Sequence, residues 1–476
     1  MIFRRCLLHG ATIASLCLCQ TAVAAESNED SAGAAPEVRS VTRSMTLAEA
    51  SELALQTLQH GDVETAVGLG RQVLQFNPND TDALFVVATA ELQLGNYHAS
   101  RIAAARAYRT SDDPRERLRA AQLAATAAIQ NNHPTLSQLW LRRAATNTSN
   151  AGDIQRIAAD YARLRKMNPL SFRLTGSVTP SNNVNNGANS SELHIDGVPT
   201  VGDLSSSAQA LPGTLATTDV EIGYRIAESE TGITTIGARM YVKRVSLSSR
   251  SKEIAKDLSD ADLDTTYLNL SMDRKFLWGR PGNTASVGAS LGRVWAGNDH
   301  YYDLLNVRGT RSFKLGDRAR LNFGASLEGR QLNRSFGHNQ TLASLTMQLN
   351  RELSWGDSLG LSFSFADVRT QDVNQRRLSS GVYASYQFAK AWGPAQVTAS
   401  LAVEKTAYRD YQIGWIAVPG GRQDLLLSGD LSFFFKDYTY AGFAPAVRLH
   451  AGRRQSNVSR FDSDEISVSF EIRSIF

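Results

Sequence analysis

The sequence predicts an α + β multidomain protein, in which an N-terminal stack of helical repeats precedes a 14-stranded antiparallel transmembrane β-barrel. Two patterns predict it: apolar residues recur at helical spacing over 45–168 and at every second position over 169–476. The chain has 476 residues, enough for more than one domain. Its 50 Lys and Arg nearly balance 46 Asp and Glu, which gives no reason to expect nucleic acid as a partner.

The first 25 residues predict a secretory signal peptide. They combine a charged start, a short apolar run over 7–18 and an Ala-Val-Ala cleavage motif at 22–24. The run is too short to span a bilayer. The polar residues 26–44 show no periodicity and predict a disordered lead-in. We therefore expect a mature chain without disulfides, catalytic thiols or cysteine metal sites, because the signal segment contains all three cysteines: Cys6, Cys17 and Cys19.

The segment 45–168 contains a repeat of about 34–36 residues. Gly61 recurs as Gly95, and the pair Asn131-Asn132 begins 36 residues after that. Ala66 and Ser100 each follow their glycine by five residues, where two helices would cross. This pattern resembles tetratricopeptide repeats, with roughly three helix pairs. The resemblance implies a periplasmic domain with a concave groove for peptides or partner proteins. The alternative is that the stack serves only as a spacer or plug.

A group of basic residues in this segment has two possible interpretations. A solvated helix face explains it more simply than a site for an acidic partner. The group comprises Arg115, Arg117, Arg119, Arg142 and Arg143.

After Pro169 the alternation of apolar and polar residues predicts strands with one apolar and one polar face, as lipid outside and water inside require. Each run has about the length of a tilted transmembrane strand. The even number of runs also fits a bacterial barrel, and the last run leads to a C-terminal Phe476. The fourteen runs are 172–178, 220–226, 236–242, 268–272, 285–291, 305–307, 319–327, 343–349, 359–365, 378–388, 397–403, 425–435, 443–451 and 466–472.

The connections between these runs favour a barrel over a soluble β-sandwich. Tight turns follow the even runs, whereas many odd runs are followed by longer polar loops, above all 181–214 and 246–262. Outer-membrane barrels have short periplasmic turns and longer outer loops. The short turns are also bordered by tryptophans, as an aromatic girdle at one membrane interface predicts: Trp278, Trp355 and Trp392.

A closed sheet of this size predicts a lumen between those of filled eight-stranded barrels and open porins. Closure is required because lipid offers backbone groups no hydrogen-bond partners. Such a lumen would admit an extended polypeptide or a glycan. The sequence leaves open whether the loop 181–214 blocks it.

We predict no catalytic, cofactor-binding or metal-binding residues and no enzyme activity. The segments 288–292 and 356–360 fit G-x-S-x-G, but one lies within a predicted strand and the other in a hairpin, not at a strand-to-helix turn. The eight histidines are scattered. One predicted loop is acidic and could bind calcium, with Asp257, Asp260, Asp262 and Asp264. The spacing of these aspartates does not match an EF-hand, so a solvated loop is the simpler interpretation.

The architecture over 45–476 resembles the surface lipoprotein assembly modulators. The resemblance rests on Pro-Ser-Asn-Asn at 180–183, Gly-Phe-Ala-Pro at 442–445, Arg-Gln-Ser-Asn at 454–457 and Arg-Ser-Ile-Phe at 473–476. It implies an outer-membrane translocon that brings surface lipoproteins, or related secreted haem- or metal-capturing proteins, to the cell surface. The implied partners are the client protein, periplasmic chaperones, the barrel-assembly machinery and outer-membrane lipids, with no nucleic acid.

Two other functions fit the same order of domains. One is a polysaccharide-export porin, although porins of that kind have much longer helical solenoids. The other is a passive diffusion porin, which would not need the helical segment.

Overall fold

The computed structural model describes residues 45–440 and 442–474, without the side chains of 199–202. The predicted signal peptide and lead-in, with the three cysteines, and the terminal Phe476 lie outside the described residues. Helices and then a closed antiparallel barrel follow one another along the described chain, which confirms the predicted fold class. The helices of the first part are α1 (Leu47–Gln59), α2 (Val63–Phe76), α3 (Thr81–Gln93), α4 (Tyr97–Thr110), α5 (Pro114–Gln130), α6 (Pro134–Ala145) and α7 (Ala151–Met167).

Local sequence sets the boundaries of these helices. Asp80 caps α3 by accepting a hydrogen bond from the Ala83 amide at 2.9 Å. The three turns inside the helix pairs contain a residue with positive φ, at Gly61 (88°), Gly95 (79°) and Asn132 (57°). Glycine and asparagine suit this conformation best, and it ends each first helix so that the second can turn back.

The crossing points within the pairs also repeat. Ala66 is fully buried at the first crossing. At the second, the Ser100 hydroxyl donates to the Ala88 carbonyl at 2.7 Å, and at the third Ser137 donates to Ala125 at 2.8 Å. The first two positions confirm the predicted small residues, and Ser137 is a third that the sequence pattern did not predict. The proline at the start of α6 and the loss of the glycine obscured the third repeat.

The strands of the second part alternate in direction around a single closed sheet. The fourteen barrel strands are β1 (Leu170–Ser181), β4 (Gly213–Ser229), β5 (Gly232–Leu247), β6 (Thr265–Leu277), β7 (Thr284–Ala296), β8 (Asp299–Leu315), β9 (Ala319–Leu332), β10 (Gln340–Glu352), β11 (Ser358–Thr370), β12 (Arg377–Gln387), β13 (Gln396–Tyr408), β16 (Arg422–Phe434), β17 (Phe443–Ser456) and β18 (Ser463–Ser474). Twelve of the predicted runs lie within a strand, and the runs 378–388 and 425–435 each extend one residue beyond theirs. β1 pairs with β18 to close the sheet.

The connections contain structure that the alternating pattern did not predict. Two small hairpins, β2 (Glu192–Ile195) with β3 (Val198–Asp203) and β14 (Gln412–Ile413) with β15 (Ile416–Ala417), lie in the loops after β1 and β13. A short helix, α8 (Ser249–Ile254), lies in the loop after β5.

One face of every strand presents apolar side chains to the surroundings. Leu270 and Ile466 are each 66% exposed, and many other apolar side chains of the strands are exposed as well. A water-soluble protein rarely exposes so many apolar side chains together. Because these residues alternate with polar ones, the apolar face is continuous around the outside of the cylinder. The outer surface therefore suits lipid, with the backbone satisfied by closure. Other members of this belt are Phe172, Leu291, Val307, Leu327, Leu345, Leu401, Leu427 and Phe470.

The barrel has two different ends, which we call the helix end and the loop end. Tight turns and the start of β1, directly after α7, define the helix end. The three predicted tryptophans, Trp278, Trp355 and Trp392, lie there and are more than half exposed. The loop end has the long connections, 182–212 and 248–264 among them, although β7 and β8 are joined by a two-residue turn. No helix in the described part of the chain is both long and apolar enough to cross a membrane.

Candidate functional site

The lumen wall formed by β1, β4 and β5 contains alternating basic and acidic side chains. Arg173 forms an ion pair with Glu221 on the neighbouring strand. Arg239 binds Asp219 through two hydrogen bonds, of 2.9 and 2.6 Å, and lies 3.5 Å from Glu221. These residues share the strand face opposite the apolar belt, so they point into the lumen. The wall is charged but locally neutral.

The same arrangement continues over β6 to β9. Arg308 forms an ion pair with Asp273, two strands away, and donates to the Ser290 hydroxyl at 3.3 Å. On β9 the Arg330 guanidinium donates to Glu328 at 2.6 Å. Arg308 and Arg330 are each matched by a carboxylate, which offsets the cost of partly burying their charge.

The wall formed by β16, β17 and β18, which adjoins β1 on its other side, contains a second network. His450 Nδ1 lies 2.9 Å from Asp430 Oδ1. Glu471 is buried and lies between Arg448, at 3.1 Å, and Arg473, whose Nε donates to it at 2.7 Å. Both walls therefore present paired charges of both signs, so these residues do not favour ions of a single sign.

A cavity of about 600 Å³ lies against the first wall and reaches the helical part. Its lining includes Arg173, Arg239 and Arg308 from three strands together with Arg165 from α7. The end of α7 therefore borders the lumen at the helix end. A solute that moves between the helices and the lumen passes this exposed arginine.

Two contacts fix the helices to this end of the barrel. Arg225 on β4 donates to the carbonyls of Lys166 at 2.7 Å and Asn168 at 2.9 Å, at the C-terminus of α7, where the helix dipole favours a cation. Arg142 on α6 stacks on the ring of Phe443, at 5.5 Å, where β17 begins. The order of the chain places the two parts side by side, but these arginines set their relative orientation.

The helical part has its own groove, of about 460 Å³, between α5, α6 and α7. Thr126 and Ile129 line it on α5, and charged residues of both signs, such as Asp153, Arg156 and Asp160, line it on α7. The lining therefore mixes apolar residues with charges of both signs.

The loop 182–212, whose effect on the lumen the sequence left open, folds onto the inner face of the barrel at the loop end. Val184 and the fully buried Leu211 pack in one apolar cluster with Val245 and Leu247 of β5 and with Ala255. The two β5 residues share the lumen-facing side of Arg239 and Lys243, since all lie at odd positions of the strand. The loop therefore covers the wall inside this mouth.

The loop is also attached to its neighbours by polar contacts. Ile195 of the small hairpin forms an antiparallel bridge with Val458 in the loop after β17. The His194 amide donates to the Ser459 hydroxyl at 2.7 Å, and the Ser207 hydroxyl donates to Asp257 at 2.9 Å. The loop thus spans the loop end from β5 to β18.

The four aspartates of the predicted acidic loop have structural partners. Asp260 accepts hydrogen bonds from Lys252 and from the Leu247 amide, which hold the pKa of its carboxyl below the usual value. Asp264 accepts from the Val245 amide at 2.8 Å. These carboxylates cap the free end of β5, and no group of potential metal ligands occurs in the described part of the chain.

Asp262 forms the fourth contact of this loop. It accepts hydrogen bonds from the Ser259 amide and hydroxyl, which lower the pKa of its carboxyl.

The other residues that the sequence singled out are dispersed. Ser290, in the first G-x-S-x-G segment, lies within β7 and accepts from Arg308, and the second segment spans a turn and the start of β11. The helical arginines do not form one site: Arg119 stacks on Phe85, Arg143 stacks on Trp140 and Arg117 pairs with Asp112.

Comparison with known proteins adds only distant likenesses. No family model and no curated protein matches the chain. Among solved structures, it is similar to an outer membrane channel from Pseudomonas putida F1, with 10% identity over 64% of this chain and 95% of that one and a TM-score of 0.34. It is also similar to the type III secretion translocator chaperone SycD of Yersinia enterocolitica, with 14% identity over 28% of this chain and 96% of that one and a TM-score of 0.24. Likenesses with these TM-scores assign no function to this chain.

Proposed function

We propose that this protein is a bacterial outer-membrane transporter that moves protein clients, surface lipoproteins or related secreted haem- or metal-capturing proteins, to the cell surface. The observation that carries the proposal is the junction at the helix end, where Arg165 of α7 lines the same cavity as the charged lumen wall. A peptide-binding groove next to a polar lumen is what a translocation path for an extended chain needs. The surface lipoprotein assembly modulators, which the sequence resembles, have this order of domains.

The paired charges of the lumen support a polypeptide rather than a simple ion as the transported species. A client contains side chains of both signs, and a wall of matched arginines and carboxylates offers partners to both without holding either strongly. The polar wall also supplies hydrogen-bond partners to an extended backbone, which lipid does not.

The direction of transport would come from the client. The sequence contains no nucleotide-binding P-loop. Folding of the client outside the membrane releases about 5–15 kcal/mol, which makes passage effectively one-way. In this scheme periplasmic chaperones deliver the client unfolded to the helical groove, and the barrel-assembly machinery inserts the transporter itself.

The test is co-expression with a candidate lipoprotein, with surface display scored by protease shaving of intact cells. Thr126→Trp fills the groove at an exposed position of α5, and Leu139→Trp places the same ring on an exposed position of α6 outside the groove. We expect display to fall several-fold in the first variant and to persist in the second. Deletion of 45–168 should abolish display while the barrel still inserts. Full display by the bare barrel would refute the role of the helices.

The same strains distinguish the alternatives. A polysaccharide-export porin predicts loss of a secreted glycan, with display unchanged. A passive porin predicts slower uptake of small solutes and no effect of the groove variant.

A further inference from the structure

Arg311 points away from the lumen, on the apolar outer face of the barrel. It pairs across the sheet with Ala285 and Phe323, which both belong to the lipid-facing side. It lies near the helix end, where its Nη2 group faces Gly279 in the turn after β6. A cation on the lipid face is tolerated only near the interface, where its head reaches the headgroups.

The guanidinium is held by aromatic rings. It stacks 4.2 Å from the centroid of Trp278 and 4.9 Å from that of Phe313. Among the described residues, its buried Nη1 atom has no hydrogen-bond partner. The lumen arginines Arg173, Arg239 and Arg308 each pair with a carboxylate, whereas Arg311 forms no ion pair among the described residues.

An apolar groove of about 590 Å³ begins at Arg311 and runs along the outer face toward the middle of the barrel. Three small residues on adjacent strands, Ala285, Gly309 and Ala325, lower the surface there. Larger apolar side chains border it, and they include Val287, Phe323, Leu345 and Phe363. The groove is therefore open to lipid, long in the direction of an acyl chain and charged at its interfacial end.

We propose that this groove is a binding site for an anionic phospholipid of the leaflet nearest the helices. Its phosphate accepts hydrogen bonds from Arg311, and one acyl chain lies over Gly309 and Ala325. Arginine suits this role because its planar fork matches a phosphate and stacks on indole at the same time. A zwitterionic lipid binds less well, because its own ammonium group competes for the phosphate.

The test uses the purified mature chain in detergent, titrated with phosphatidylglycerol or with phosphatidylcholine of the same acyl chains, and scored by native mass spectrometry. We expect about tenfold stronger retention of phosphatidylglycerol, as a charge-assisted hydrogen bond implies. Arg311→Gln should remove this preference. Arg274→Gln is the matched control, since Arg274 is an exposed outward cation at the same end that donates to Thr234 at 3.0 Å and lies outside the groove. Arg311→Lys, which keeps the charge, should retain part of the preference and guards against a folding defect.

A second pair of variants tests the acyl chain. Gly309→Leu fills the groove, because a Cβ there meets only the Ser286 carbonyl at 3.9 Å. Gly329→Leu is the control: it adds the same side chain to the outer face of the barrel, on β9 and outside the groove. A Cβ at Gly329 meets no other atom within 4 Å. We expect weaker binding of both lipids only for Gly309→Leu. An unchanged preference in Arg311→Gln, or an equal loss in Arg274→Gln, would overturn the proposal. Competition by inorganic phosphate, or binding unaffected by Gly309→Leu, would overturn its acyl-chain part.

Discussion

Leu211 offers the sharpest test of the loop 182–212 as a cover of the lumen. Its side chain is fully buried in the apolar cluster with Val245 and Leu247, and its carbonyl accepts from the Val184 amide at 2.8 Å. Leu211→Ala removes packing from a site that rigid strands prevent from collapsing, so we expect a cost of about 2–5 kcal/mol. If the cluster holds the loop closed, the ratio of closed to open loop falls roughly 30- to 4,000-fold.

A glutamate-specific protease reads this ratio directly. The loop contains one glutamate, Glu192, in the small hairpin β2–β3, and cleavage there requires the hairpin to detach from Val458. For fast opening and closing, the cleavage rate follows the open population, so Leu211→Ala should be cut at least tenfold faster than the wild type. The control is Leu204→Ala, in the same loop but outside the cluster. Equal cleavage rates for Leu211→Ala and wild type, in barrels that remain folded, would refute the packing argument.

Three further perturbations follow from the same contacts. Ile195→Cys combined with Val458→Cys places cysteines at two bridged residues, whose Cα separation of roughly 4.5–5.5 Å suits a disulfide. Oxidation should slow cleavage at the hairpin and block client display, and reductant should restore both. Display that survives oxidation would show that the loop need not move. Arg225→Ala leaves two carbonyls at the end of α7 without their charged donor. We therefore expect the helix end to be less stable by about 1.5–3 kcal/mol and trypsin to cleave faster after Lys166. An unchanged cleavage rate would argue against this attachment. The pKa of Asp260 in the folded protein lies below its ordinary value of 3.8. Its contribution to the stability of the loop 248–264 is therefore present above about pH 4 and is lost as the pH falls through the folded pKa. Pepsin should cut this loop faster as the pH decreases from ~5 to ~2, and Asp260→Asn should flatten that dependence.

Much of the architecture follows from local pattern. A helix or a strand repeats its environment every 3.6 or 2 residues, and the sequence reports that period without knowledge of distant contacts. For this reason the predicted runs match the barrel strands, and Gly61 and Gly95 mark turns that the structure confirms. Ser137 was not predicted because the turn before it contains Asn132 instead of glycine, although its hydroxyl makes the same contact as that of Ser100.

The candidate site was far less accessible to sequence reasoning. Arg225 and Arg311 both lie in strands with alternating apolar and polar residues. Arg225 binds the carbonyl of Lys166 in α7, whereas Arg311 faces lipid beside Trp278. The composition of a strand gives the face of a residue, but the partner on that face depends on the register between strands and on their order around the barrel.

The helical repeats, the number of strands and the apolar exterior could be predicted from the sequence alone, because each of these is a periodic property of neighbouring residues. The sequence did not predict that Leu211 lies against the lumen wall or that Arg165 borders the charged cavity. It also did not predict the ion pairs of Arg173 and Arg308 in the lumen. These contacts join residues far apart in the chain, and they exist only once the sheet has closed and fixed which side chains meet.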